Sequence, residues 1–271
     1  MIQLSRAFLL VAALCWQASA AAPPPPGNYV LTELFAGTFL PGAGTPSINA
    51  FGQVVGLSPS GALLWIPASA NGAVGIISNP YPANAAVANA INDQGQVVGG
   101  ALGRSFLWSP ETPNGYWGPA VDLPVTSPGG ATGINNFGQV IGSTFLWTPS
   151  SPNGMTGTVN PDSRFNGVAA INDFGQVVIN PPGSTPLLFT PFQANGATGT
   201  FTPISGVAEG LAINNNGTVL GLSDSCFSST QCQPLLWTPA SPNGTRGAVS
   251  TIPVPAGFVG LARIPAWFFR Y

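Results

Sequence analysis

Five near-copies of one block constrain this chain more than anything else in it: INAFGQVVG, INDQGQVVG, INNFGQVIG, INDFGQVVI and INNNGTVLG. Their isoleucines, Ile48, Ile91, Ile134, Ile171 and Ile213, stand 43, 43, 37 and 42 residues apart. A chain that returns to one local structure at such a period builds repeats, each too small to bury its own apolar face. Within the block, Asn-x-x-Gly is turn chemistry. The Asn side chain bonds back to the backbone, and Gly takes a positive φ without a Cβ clash. The spacing therefore predicts a tight hairpin at 49–52, 92–95, 135–138, 172–175 and 214–217, joining an Ile strand to a Gln-Val-Val strand, with no ligand needed to hold it.

Each repeat has four short apolar parts: a stretch such as PAVDLPV or AVSTIPV, then GLAIN or GVAAIN, then GQVVG, then LLWTP or FLWSP. SPNG, TPNG or a relative follows. The parts are four to seven residues long, rich in Val, Ile, Leu and aromatics, and bounded by Gly, Pro and Asn, which is strand punctuation. Adjacent apolar residues in QVV and LLW would point to opposite faces, so the sheets should be covered on both sides. Four-stranded units of about 40 residues, packed on both faces, predict an all-β, β-propeller-like array of five units. A β-solenoid is the second reading. AVSTIPVPAGFVGLARI is read as the first half of a sixth unit, after which the pattern is lost in PAWFFRY. Either the ring closes with five blades or the chain is a truncated member of a longer array.

The stretches INDQGQVVG…SFLWSPETPNG and INNFGQVIGSTFLWTPSSPNG are similar to the extracellular HAF-type repeat, named for a His-Ala-Phe signature before Leu-Trp. The likeness spans residues 29–264. Every copy here lacks the His, and Ala-Phe is altered to Ser105-Phe106, Thr144-Phe145 and Ala62-Leu63. The resemblance implies secretion and a repetitive, propeller-like β fold. It brings no catalytic residue and no ligand.

The N-terminus reads as a targeting segment. Arg6 precedes an apolar run of ten residues, AFLLVAALCW, and ASA at 18–20 fits cleavage after Ala20. The run is too short for a bilayer span of roughly 20 residues. Residues 1–20 are thus a signal peptide, 21–28 a Pro-rich linker, 29–264 the repeat domain and 265–271 a divergent tail. Cleavage would leave two cysteines, Cys226 and Cys232. In an exported chain this close pair reads as a structural disulfide.

Chemistry is scarce. Charged residues make up 5% of the chain, against roughly 25% in ordinary domains. With no Lys or His and six Arg against eight acids, there is no basic footprint for nucleic acid. Missing His and Lys also remove the commonest general bases and amine nucleophiles. Two converging carboxylates could still support a carbohydrate-active enzyme. However, Asp93 and Asp173 fill a turn position that is Ala50, Asn136 or Asn215 in other copies, so they read as turn formers. No loop gathers the carboxylates calcium needs, and no cofactor or metal is expected.

Trp65, Trp108, Trp147 and Trp237, with Phe189 in the fourth copy, occupy one equivalent position and read as core. Tyr116 and Trp117 belong to the second copy alone and are the candidate ligand contacts. The N-x-T sequences at Asn216 and Asn243 lie in turns that favour Asn-Gly for conformation, and read as incidental. The chain is expected to be a secreted, monomeric, non-catalytic binding or structural module, with a glycan or a protein as partner. A two-carboxylate enzyme or a truncated, functionless fragment are the alternatives.

Overall fold

The computed structural model describes residues 47–82, 86–126, 130–223 and 233–253. They lie in one compact unit, and they form an all-β, propeller-like array of five four-stranded sheets. The first sheet holds β1 (Ser47–Ile48), β2 (Val54–Ser58), β3 (Gly61–Pro67) and β4 (Gly75–Ser78). The second holds β5 (Val87–Ile91), β6 (Val97–Ala101), β7 (Arg104–Trp108) and β8 (Ala120–Thr126). Next come β9 (Ala131–Ile134), β10 (Val140–Gly142), β11 (Phe145–Pro149) and β12 (Gly157–Val159). The fourth sheet is β13 (Val168–Ile171), β14 (Val177–Ile179), β15 (Leu187–Pro191) and β16 (Gly199–Pro203). The fifth is β17 (Glu209–Ile213), β18 (Val219–Leu222), β19 (Pro234–Pro239) and β20 (Gly247–Thr251). Each sheet is an antiparallel meander in chain order.

The phase of the unit differs from the sequence reading. The stretch taken as the first part, such as AVSTIPV, is the fourth strand of the preceding sheet: β20 pairs with β19, Trp237 opposite Val249. The Ile-Asn strand opens each sheet. A strand's partner is set by register, which repeat spacing alone leaves free to slide. Beyond β20, the remainder of the expected sixth unit lies outside the described residues, as do the signal peptide, the linker, the tail and the Cys226–Cys232 pair.

The hairpins follow the turn chemistry. In the first, Gly52 N donates to the Asn49 carbonyl at 3.0 Å and Asn49 N to the Gln53 carbonyl at 3.1 Å. All five turn glycines have φ between +82° and +91°.

Burial falls on both faces of the second and third strands. Val97 and Val98 are adjacent and both fully buried, as are Val177 and Val178. Four clusters fill the spaces between consecutive sheets. Val55 and Leu64 of the first sheet meet Ala88, Val97 and Phe106 of the second. The next three gaps are filled the same way, from Val98 and Leu107, from Ile141 and Leu146, and from Val178 and Leu188. Each such side chain stabilises by about 1.5–3 kcal/mol. The repeated aromatic is core: Trp65, Trp108, Trp147, Trp237 and Phe189 are all at most 3% exposed. In the last three sheets it packs over the glycine that opens the fourth strand, Gly157, Gly199 or Gly247, so close that a Cβ at Gly157 would come within 2.6 Å of the Trp147 ring.

A polar ladder joins the turns, and spacing alone did not reveal it. Asn49 Nδ2 donates to Gln53 Oε1 at 2.8 Å, and to the Asn92 carbonyl and Asn114 Oδ1 of the next unit, both at 3.0 Å. Asn92, Asn135 and Asn172 repeat the pattern toward the next unit. Gln53, Gln96, Gln139 and Gln176 each donate to the carbonyl of the next unit's loop Asn, which are Asn114, Asn153, Asn195 and Asn243. Those Asn residues hold φ of 56° to 60°, the left-handed conformation. The Pro-Asn-Gly loop is therefore an acceptor for the preceding unit as well as a turn.

Candidate functional site

Tyr116 and Trp117 lie in the loop between β7 and β8, at the rim of an open groove of about 630 Å³. One wall is the end of β4 and the segment after it, from Ser78 to Pro82. The other is Trp108, Tyr116, Trp117, Gly118 and Ala120. Three local features hold this loop. Glu111 N donates to the Trp117 carbonyl at 2.9 Å. Trp108 Nε1 donates to the Gly118 carbonyl at 3.0 Å. The Ser78 hydroxyl reaches the Tyr116 carbonyl at 3.5 Å, bridging the first sheet to the second.

The facing wall is braced from behind. The Tyr81 ring stacks on Phe106 with centroids 4.4 Å apart and planes inclined by 18°. Its hydroxyl donates to Asp122 Oδ1 at 2.7 Å, and Arg104 donates to the other Asp122 oxygen at 2.7 Å. These two hydrogen bonds hold the Asp122 carboxyl below the usual carboxylate range, and the Asp122 contact pushes the Tyr81 hydroxyl up. Arg104 and Asp122 thus neutralise each other beside the groove, and no charged side chain lines it.

Against this wall, the rim aromatics are open. Tyr116 is 52% exposed and Trp117 70% exposed, with ring centroids 5.8 Å apart. Equivalent loop positions in the other four units hold Ala73-Val74, Met155-Thr156, Ala197-Thr198 and Thr245-Arg246. The backbone bond is nevertheless kept: Val74, Thr156, Thr198 and Arg246 each accept from the residue after the third strand. The loop therefore folds without aromatic side chains, and the Tyr-Trp pair is an addition to it.

The carboxylate alternative can be placed as well. Asp93 and Asp173 both accept from the Asn136 amide, at 2.8 and 3.0 Å, so they are close. Their remaining oxygens are also used: Ala50 N donates to Asp93, and Asn136 N to Asp173. They form a second rung between turns, and neither lines the Tyr116–Trp117 groove. The reading as turn formers missed this bridging, which reaches the neighbouring unit. Glu209 does line a groove, of about 500 Å³, with Asn180, Ser184 and Thr185. Burial pushes its carboxyl up, but it stands there as a single acid.

Among the described residues no three His, Cys, Asp or Glu side chains gather as a metal site. Nor is any helix there long and apolar enough to cross a membrane. Asn243 accepts from Asn172 and donates to the Asn215 carbonyl, so its amide is part of the ladder. Compared with known proteins, the chain matches no family model and no curated sequence.

Proposed function

We propose that this chain is an exported, non-catalytic binding module of the HAF-repeat type, and that its contact site is the Tyr116–Trp117 groove. The ligand is a neutral glycan. The observation behind this is that two aromatic rings stand half or more exposed at a position where the other four units manage without them. Exposed indole and phenol faces suit the C–H face of a pyranose. Their N–H and O–H, with Ser78 and Asn79 alongside, suit its hydroxyls. A lining without charge favours neutral sugar over uronate or sulfated polymer. Export, cleavage after Ala20 and the Cys226–Cys232 bridge belong to the same reading, supported by the sequence features that suggested them.

Intrinsic tryptophan emission, titrated with soluble neutral polysaccharides, tests it. Trp117→Ala should weaken binding by about 2 kcal/mol, roughly thirtyfold in Kd, with the melting temperature unchanged. If no neutral glycan perturbs the emission, the glycan reading is wrong. A protein ligand captured by the wild type and lost in the variant would keep the site and change its partner class.

A further inference from the structure

Glu209 puts a half-buried carboxylate where the other units carry no acid. It stands four residues before the Ile of its turn block, and the same place in the first four units holds Gly44, Val87, Gly130 and Gly167. Among the described residues, no hydrogen bond or ion pair reaches its carboxyl, which burial alone pushes up.

The groove beside Glu209 is shaped by a segment that the earlier units lack. Two residues join the second and third strands in the first three sheets, 59–60, 102–103 and 143–144, but seven do so in the fourth, 180–186. Asn180 fastens this longer connection to the start of β17. Its Oδ1 accepts from Gly210 N at 2.9 Å, and its Nδ2 donates to the Gly210 carbonyl at 2.8 Å. On the other side, Glu209 pairs with Leu222 of β18, and Ala208 N donates to the Leu222 carbonyl at 2.8 Å. The backbone under the acid is therefore held from two directions, and exposed Ser184 and Thr185 share its groove. The volume of about 500 Å³ lies within the range of small-molecule sites, roughly 300–1,000 Å³.

This carboxylate has no counter-charge. Glu209 is the only charged side chain lining the groove. The sequence has no Lys, and Arg104 and Arg164 are committed to Asp122 and Asp162. Taking water from an unpaired carboxylate costs free energy, which a cation from outside the chain offsets. Calcium does not suit the place, because one carboxylate and two hydroxyls fall short of its six to eight oxygens. A single N–H-bearing charge with hydroxyls beside it does. Its ammonium donates to Glu209, its hydroxyls meet those of Ser184 and Thr185, and Pro181 and Ala208 offer apolar surface to its carbon skeleton.

We propose that this groove is a second binding site, for the ammonium-bearing ring of an amino sugar, with Glu209 as the counter-charge. It shares no lining residue with the Tyr116–Trp117 groove and does not rest on the reading given to that groove.

Nuclear magnetic resonance on the full chain, labelled with carbon-13 at the Glu carboxyls, tests it. Glucosamine, glucose and butylammonium are titrated separately at neutral pH. The Glu209 signal, assigned by its loss in Glu209→Gln, should move with glucosamine, whose affinity should exceed that of either control by about tenfold or more. Glu209→Gln removes an unpaired buried charge and should stay folded, but the amides of Ser184 and Thr185 should no longer respond to glucosamine. The double variant Ser184→Ala, Thr185→Val should bind glucosamine several-fold more weakly and butylammonium unchanged. A Glu209 signal that ignores glucosamine would overturn the proposal, and so would full affinity in Glu209→Gln. Equal affinity for glucose would remove the role of the charge, and equal affinity for butylammonium would remove the sugar, and either result rejects the assignment.

Discussion

At the level of single residues, the asymmetry of the turn ladder makes chemically similar positions unequal. Gln96 donates to the Asn153 carbonyl at 2.9 Å and to the Ser109 hydroxyl at 3.1 Å, and accepts from Asn92 at 2.9 Å. Its side chain is buried at 1% exposure, and shortening it removes the donor to the Asn153 carbonyl and the Ser109 hydroxyl and one acceptor of the Asn92 amide. Gln96→Thr should therefore cost about 1–3 kcal/mol in a denaturant titration, although Thr is the natural residue at the equivalent Thr218. Glu209 acts in the opposite sense. Burial raises its carboxyl in the folded chain above the value it has unfolded. The folded state then binds this proton more tightly, so the group favours folding at low pH. That contribution is lost as pH rises through the folded-state value. Glu209→Gln should raise the melting temperature near about pH 7, and the gain should vanish toward about pH 3, below the unfolded carboxylate range. A gain that persists at low pH would assign the effect to something other than ionisation.

At the level of the strand, the apolar pattern was legible and the pairing was not. Val-Val and Leu-Trp neighbours announced sheets covered on both faces, and Gly52 or Gly138 announced where a strand reverses. Neither feature says which sheet claims AVSTIPV, because a strand flanked by two candidate partners is assigned by register. The exposure of Tyr116 and Trp117 was read from their absence in other copies. The groove wall was not, because Tyr81 and Asp122 are 41 residues apart and meet only through the stacking of sheets. The ladder was hidden for a related reason: Asn, Gln and Asp in a turn are explained by the turn itself, and their reach into the next unit leaves no local mark. The third-strand aromatic supplies a prediction at this level. Trp108 Nε1 has the Gly118 carbonyl as acceptor, whereas Trp147 Nε1 is buried and without a hydrogen-bond partner. Phe already serves at position 189. Trp147→Phe should thus cost less than Trp108→Phe, which strands the Gly118 carbonyl, by about 1 kcal/mol. Equal losses in the two variants would mean that indole volume, not its N–H, sets the cost.

For the repeat unit as a whole, the arrangement sets how it comes apart. Each sheet contributes apolar cover to its predecessor; the Asn and Gln rungs donate toward the following unit, while Asn136 and Asn215 also donate back to Asp93 and Asp173 of the preceding one. The two ion pairs among the described residues, Arg104–Asp122 and Arg164–Asp162, each lie within one unit and involve well-exposed arginines. Cohesion between units therefore rests on nearest-neighbour gaps, and stability is close to a sum of unit terms and interface terms. Such a chain unfolds as one body only while every interface outweighs the instability of the unit beyond it. Val207 tests this directly. It sits between β16 and β17, outside any strand, is 4% exposed, and packs with Val178 and Leu188 of the fourth sheet. Val207→Asp places a carboxylate in that gap while leaving the pairing within each sheet intact. Burying an unpaired charge costs several kcal/mol, enough to match the coupling across one gap. Region-resolved hydrogen exchange should then show the amides of β17 to β19 losing protection under conditions in which β6, β10 and β14 keep theirs. Simultaneous loss across all five sheets would mean that the interfaces are stronger than a nearest-neighbour sum allows, and that the array folds as a single cooperative body.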